Sequence, residues 1–314
     1  MELIPPGTTI DFVGKRRFFL AFSVIVNLTS VLLLLTWGLN YGLDFTGGTL
    51  VEVRFRTPIT IHEVRQAIRQ EGTTGVTIQE LGHEGNLFLI RMARQEEGVG
   101  DMGARIREGL VSVFSEAVEV LRVESVGSRV SAELRQKAIW AVIFATVLMG
   151  VYIAMRFAPR FGVGAIIALI HDVLVVLGAL VLTQMPFDLS VLAALLTVLG
   201  YSINDTIIVS DRMRENLRKL RREPLARIIN RSLNETLSRT LMTSGTALLV
   251  LGVLFAFGGH VIRPFAFTLI VGFLTGVYSS IYIAAPVVLY FDKSGTPVRS
   301  YAAWRAVDSH TSQP

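Results

Sequence analysis

An aspartate, Asp205, sits within an otherwise apolar run, Gly200-Tyr201-Ser202-Ile203-Asn204-Asp205-Thr206-Ile207-Ile208-Val209. With its flanks this run is long enough to cross a bilayer, where a carboxylate costs about 3 kcal/mol on insertion scales and more in simulation. A chain that keeps such a group uses it, and the chemistry open to it is proton uptake and release. Two more ionisable residues lie in similar settings. Asp172 follows His171 in Ala168-Leu169-Ile170-His171-Asp172-Val173-Leu174, and Arg239 stands near the start of another apolar segment. Ser202, Asp205 and Thr206, spaced i, i+3 and i+4, share one helical face, and Thr236, Arg239, Thr240 and Thr243 form a second polar stripe. Such stripes line a hydrated path, or they bind helices together through interhelical hydrogen bonds. For Asp172 two readings also stand, a second titratable station or a helix-packing carboxyl.

Six apolar stretches reach the length needed to span about 30 Å of hydrocarbon: 18–39, 138–155, 161–183, 189–210, 236–258 and 265–291. The first is too long for a signal-peptide core and has no small-residue cleavage pattern after it, so it reads as an uncleaved anchor. Asp205 falls about six residues, roughly 9 Å, from one end of its span. Arg239 falls about one turn inside the same side of the next span, a geometry that allows an Asp205–Arg239 pair.

The chain of 314 residues is 51% hydrophobic and 18% charged with a positive mean hydropathy, which sets it apart from ordinary soluble domains and makes lipid its main solvent. Its formal charge of +5 is not a nucleic-acid signature, because the basic residues cluster. Segment 211–239 holds nine Lys/Arg against four Asp/Glu, whereas 40–136 holds eleven against fourteen. Lys15, Arg16, Arg17, Arg156, Arg160 and the basic residues from Arg212 to Arg231 all fall on one side of the six spans. The turns 184–188 and 259–264 carry only Arg263. This bias predicts that both termini (1–17 and 292–314) and a basic loop at 211–235 are cytoplasmic and that 40–136 is extracytoplasmic. The absence of cysteine excludes a disulfide framework and a thiolate metal site.

Residues 49–126 alternate like a small α+β domain. Val51, Val53 and Phe55 share a strand face, and Thr60-Ile61-His62-Glu63 reads as a capping box opening a helix with Ile61, Val64 and Ile68 on one side. Strands over 75–81 and 86–92, joined by a turn at 82–85, a helix with Ile106, Leu110 and Phe114 on a stripe, and a strand over 118–126 complete the order βαββαβ of a ferredoxin-like split βαβ unit. No catalytic constellation stands out: His62-Glu63 lacks the second histidine of a zincin helix, and His83 lies in the turn, so both read as solvated surface residues. No Walker A sequence occurs. The expectation is a non-enzyme without cofactor or metal, driven by another subunit or an ion gradient.

Tyr41-Gly42-Leu43-Asp44-Phe45-Thr46-Gly47-Gly48, His171-Asp172, Gly200 to Thr206, Asp211-Arg212-Met213-Arg214-Glu215-Asn216 and Ser232-Leu233-Asn234-Glu235-Thr236 with Arg239 resemble the SecD/SecF protein-export family, and within it the SecF subunits, over residues 10–292. The resemblance implies a relative of resistance-nodulation-division exporters in the bacterial or archaeal cytoplasmic membrane. It implies pairing with SecD beside the SecYEG translocon, with YajC and YidC as further candidate neighbours, and use of the proton-motive force to promote late export of unfolded polypeptides. Asp205 and Arg239 match positions associated with proton conduction, Asp172 is a further relay candidate, and Asp44, Gly47, Gly48 and Asn204 belong to the motifs. Gly42 to Gly48 and the link at 127–136 are expected to act as hinges. An RND-type small-molecule exporter would carry larger paired outer domains and twelve spans. A non-transporting translocon scaffold, with Asp205 and Arg239 as a structural ion pair, remains the open alternative.

Overall fold

The computed structural model describes residues 9–70, 76–81, 85–92, 110–114, 118–220 and 222–291. The expected turn at 82–84 with His83, the position of Ile106 and the tail 292–314 lie outside them. Two compact units result, residues 41–140 and the remainder, with the second chain crossing at 140–141.

In the smaller unit, strands β1 (Gly48–Phe55), β2 (Val76–Glu80), β3 (Leu87–Met92) and β4 (Val118–Val126) form one sheet in the order β2-β3-β1-β4, antiparallel throughout. That order is the split βαβ arrangement expected from the sequence, with β3 inserted between β1 and β2. Val51, Val53 and Phe55 of β1 and Phe88, Ile90 and Met92 of β3 are buried together, as period-two side chains on one face must be. The helix α3 (Ile61–Gln70) covers them with Val64, Ala67 and Ile68. The helical residues 110–114 add Leu110, fully buried, and Phe114, whose ring meets Phe55 edge-on at 5.1 Å. Each such side chain contributes about 1.5–3 kcal/mol. The capping box is formed: Glu63 accepts from the Thr60 backbone N–H at 2.8 Å, and the Glu63 N–H reaches Thr60 Oγ1 at 3.4 Å.

Between the first long helix and the sheet lies a four-residue helix, α2 (Leu43–Thr46), stopped by Gly47. Gly47 has φ +71° and ψ 174°, and Gly48 has φ +113°, conformations that a side chain would resist. A Cβ on Gly47 would also lie 3.2 Å from the Ser128 Cα and 3.3 Å from the Val126 carbonyl. The glycine pair is therefore a tight corner packed against the end of β4, with Leu43 and Phe45 buried and Asp44 half-buried in the first turn. The link at 127–136 differs from expectation. It is helical from Ser128, Ser131 backbone N–H bonding to the Gly127 carbonyl, so bending freedom is confined to Gly127.

Among the described residues, six helices are long and apolar enough to cross a membrane: α1 (Arg16–Thr36), α4 (Ser128–Arg156), α5 (Pro159–Thr183), α6 (Leu189–Lys219), α7 (Leu225–Phe257) and the run of α8 (Gly259–Ser279), a π-turn (Ser280–Ala284) and α9 (Ala285–Tyr290). This is a multi-pass membrane protein. Its spans match the apolar stretches in position, but several helices outrun them. The basic segment 211–235, expected as a loop, is helix up to Lys219 and again from Leu225, because hydropathy marks where lipid ends while the backbone ladder continues into the charged turns. Likewise α8 begins at Gly259, so the expected turn at 259–264 shrinks to Gly258 and its neighbours. Helix α1 is inside-out relative to a soluble helix: its buried residues are Ser23 and Ser30, while Phe18, Ile25, Leu28, Leu32 and Leu35 are exposed. Ser30 seats against Gly178 of α5, where a Cβ would come within 2.2 Å of its hydroxyl. Close backbone approach at small residues holds such helices together, since lipid is as apolar as leucine.

Candidate functional site

Helix α6 carries the polar face that the spacing predicts. Ser202, Asp205, Thr206 and Val209 are all buried, at 1 to 5% exposure, while Asn204 points to the opposite, exposed side. Helix α8 can approach this face because Gly272 and Gly276 sit one turn apart on it. A Cβ on Gly272 would overlap Val198, and one on Gly276 would lie 3.0 Å from that of Ser202. The approach delivers two consecutive serines, Ser279 and Ser280, to the cluster.

Asp172 of α5 is fully buried and receives three contacts. Ser202 Oγ donates to its Oδ2 at 2.6 Å, Ser279 Oγ donates to the same oxygen at 2.8 Å, and His171 Nδ1 lies 3.1 Å from Oδ1. His171 stacks on Tyr278, whose hydroxyl donates to the Phe19 carbonyl at 2.8 Å and lies 2.8 Å from Ser23 Oγ. Asp205 is furnished differently. Thr240 Oγ1 of α7 donates to Oδ1 at 2.5 Å, and Oδ2, buried, has no hydrogen-bond partner. Thr206 and Ser280 hydroxyls pair beside it at 2.9 Å.

The expected Asp205–Arg239 pair is not formed. Ser232, Thr236, Thr240 and Ser244 recur every fourth residue and make the buried face of α7, which places Arg239 and Thr243 on the exposed side. Thr240 takes the place the arginine was expected to fill. That four-residue hydroxyl repeat was the readable signal, and grouping Arg239 with Thr240 obscured it. Ser279 and Ser280 were missed altogether, because serines in an apolar span carry no mark that separates packing from function. At the basic end, Arg212 donates to Glu235 and Glu215, and Asn216 donates to Ser232 and Glu235, tying α6 to α7. Residues 10–13 are strapped to the same place: Asn230 Oδ1 accepts from the Phe12 and Val13 N–H groups, and its Nδ2 donates to the Ile10 carbonyl. Among the described residues no group of three or more His, Asp or Glu is placed to hold a metal ion.

The arrangement is a buried, hydroxyl-lined pair of carboxylates on adjoining helices. The family model "Protein export membrane protein SecD/SecF, C-terminal" matches residues 106–294, and "SecD/SecF GG Motif" matches 33–59. The chain belongs to the SecD/SecF family. Among its SecD/SecF relatives, "Protein translocase subunit SecF" of Desulfurispirillum indicum is 43% identical, over 90% of this chain and 91% of the relative. The subunit of the same name from Calditerrivibrio nitroreducens is 41% identical, over 94% of this chain and 97% of the relative. The crystal structure of SecDF, a translocon-associated membrane protein from Thermus thermophilus, superposes with a TM-score of 0.81 at 36% identity, covering 91% of this chain and 39% of that one. A super-membrane-facing form of SecDF gives 0.67 at 34% identity, covering all of this chain and 41% of that one. This SecD/SecF chain thus spans about two fifths of the SecDF chains it matches. The Gly47–Gly48 corner lies inside the glycine-motif match, and both carboxylates lie inside the C-terminal one.

Proposed function

We propose that this chain is the SecF subunit of a protein translocase accessory complex, and that with a SecD partner it uses the proton-motive force to promote late steps of protein export. The observation that carries the reading is Asp205, a buried carboxylate with one close donor, Thr240, and a second oxygen outside hydrogen-bond geometry beside the Ser280 hydroxyl. A group so poorly furnished for a fixed charge is suited to gaining and losing a proton. The family match and the name of the SecF relatives supply the context.

In this reading the termini and the basic helix ends are cytoplasmic, the unit at 41–140 is extracytoplasmic and meets unfolded export substrates, and no covalent chemistry is done. Arg239, exposed in this chain, is costly facing lipid, so a partner's helices cover it and complete the proton path. One elementary charge crossing 100 mV is worth about 2.3 kcal/mol, which shifts a two-state equilibrium about fiftyfold. Proton entry at Asp205 would rock the bundle by repacking α6 against α7, where Thr240 now holds it.

The test is translocation into inverted vesicles with ATP present, with and without an imposed proton gradient. Asp205→Asn keeps size and hydrogen bonding but cannot exchange a proton, so it should abolish the gradient-dependent part while the complex with SecD stays assembled. Full gradient stimulation in that variant would give the scaffold reading the field. Crosslinkers in 41–140 that fail to capture translocating chains in the assembled complex would remove the substrate-contact role.

A further inference from the structure

The end of the last span is irregular at a telling point. Helix α8 gives way to a π-turn at Ser280–Ala284, between the residue that serves one carboxylate and the residue beside the other. Ser279 Oγ reaches Asp172, and the next residue, Ser280, pairs with Thr206, one position from Asp205 along α6. Single π-turns within helices carry an extra residue at a strained register and concentrate at functional sites. This one is held from the other side by Gly164 of α5, where a Cβ would lie 2.8 Å from the Ala284 carbonyl oxygen. Only glycine there lets α5 meet the widened turn.

We propose that Ser279 and Ser280 are positioning residues that join Asp172 to Asp205, the start of the π-turn being the joint through which a change of charge at one carboxylate is felt at the other. The inference rests on the proton-driven reading of Asp205 and extends it to a second station.

The geometry supplies a switch at Asp172. As a carboxylate, Asp172 accepts through Oδ2 from Ser202 and Ser279 at once, and so clasps α5, α6 and α8. A proton arriving at Oδ2 turns that oxygen into a donor, and it can no longer accept both hydroxyl protons. Ser279 has an alternative acceptor within reach, the Gly276 carbonyl at 3.2 Å, so its O–H can turn away and leave its own lone pair for the Asp172 proton. The Asp172–Ser279 bond then runs in the opposite direction and is no longer charge-assisted, so the clasp weakens on the α8 side with no donor stranded, and every proton is accounted for within the cluster. The weaker bond frees the start of the π-turn to shift, and Ser280, the next residue, carries its Thr206 pair beside Asp205 with it. The titratable groups facing the cluster are His171 beside Asp172 on α5, Tyr278 of α8 against His171, and Asp205 on α6; α1 brings only the Ser23 hydroxyl, to Tyr278.

The test uses the complete complex in inverted vesicles, scored as the ratio of translocation with a proton gradient to translocation with ATP alone. Ser279→Ala should lower gradient stimulation about fivefold, the scale of one interhelical hydrogen bond, and Ser279→Thr, which keeps the hydroxyl, should restore it. The decisive measurement is the double change: in an Asp172→Asn background Ser279→Ala should have no further effect, because it acts through the carboxylate. A packing role would add its loss in both backgrounds and overturns the proposal, as does failure of threonine to rescue. If Ser279→Ala does not accumulate, Ser280→Ala asks the same question, since the effect of Asp172→Asn should vanish once Ser280 is gone. If Asp205→Asn keeps full stimulation, the proton-driven reading itself has failed. If Asp205→Asn abolishes stimulation and the serine changes are silent or additive, only the coupling through the π-turn has failed.

Discussion

Two buried aspartates stand on neighbouring helices of one bundle and are treated in opposite ways. Asp172 is met by polar partners on three sides, from its own helix and from α6 and α8, whereas Asp205 has one close donor, Thr240, and a second oxygen outside hydrogen-bond geometry beside the Ser280 hydroxyl. Burial alone therefore says little about what a carboxylate is for. A saturated group is held in place by its partners and in turn holds them. An under-furnished one is free to change its state, and the cost of keeping it is the mark of use.

The largest difference should appear in stability. Interhelical hydrogen bonds in membrane proteins average about 0.6 kcal/mol and reach about 1.7. Asp172→Ala, which removes the shared acceptor of Ser202 and Ser279 and the partner of His171, is accordingly expected to cost about 2–5 kcal/mol. Asp205→Ala loses one close bond, to Thr240, so it should cost less than about 1 kcal/mol. Thermal unfolding of the two purified variants in detergent measures this directly. Equal losses would erase the distinction between a clasp and a carrier.

The comparison sharpens at Gly164, which lets α5 meet the π-turn. Gly164→Ala drives a methyl against the Ala284 backbone oxygen, which cannot swing away, and should cost about 1–3 kcal/mol. Gly245→Ala, on α7 with nothing within 4 Å, should be neutral or stabilise by up to about 1 kcal/mol from helix propensity. A control without charge is Asn230, a buried amide as well furnished as Asp172. Asn230→Ala should cost about 1–3 kcal/mol and expose residues 10–13 to hydrogen exchange. Its gradient stimulation should stay intact, because an amide does not titrate.

Much of this was legible in the chain. The α+β unit was readable because a half-buried sheet writes its faces in period two and Thr60–Glu63 announces its helix. The six spans were readable because lipid tolerates little else. The face of α6 was readable because Asp205 cannot hide among leucines. The partner of Asp205 was not, since depth and charge favoured Arg239 while rotation about α7 decided for Thr240, and rotation is set by packing against helices that one-dimensional spacing does not show. The serine pair at 279–280 was invisible for the same reason: its meaning depends on Gly272 and Gly276 letting α8 close on α6, and on the π-turn that follows.

The smallest effect expected contrasts these buried carboxylates with an exposed one. Glu63 closes the capping box, and the Thr60 backbone N–H, followed by the Thr60 hydroxyl, holds its carboxyl below the ordinary value of 4.5. A depressed carboxyl contributes stability that is fully present above the unfolded value and is lost as pH falls through the folded one. The first turn of α3 should therefore keep its protection near neutrality and lose part of it below about pH 4.5. Glu63→Gln, which cannot bear the charge, should remove that acid-side loss without abolishing the helix, since the Thr60 hydroxyl can still cap Glu63's amide position. Hydrogen exchange at residues 63 and 64 in the intact chain, compared between wild type and Glu63→Gln at each pH, isolates the effect of the carboxylate charge. If both proteins lose protection in parallel as pH falls, the capping charge contributes nothing, and the useful contrast in this molecule lies wholly within the membrane.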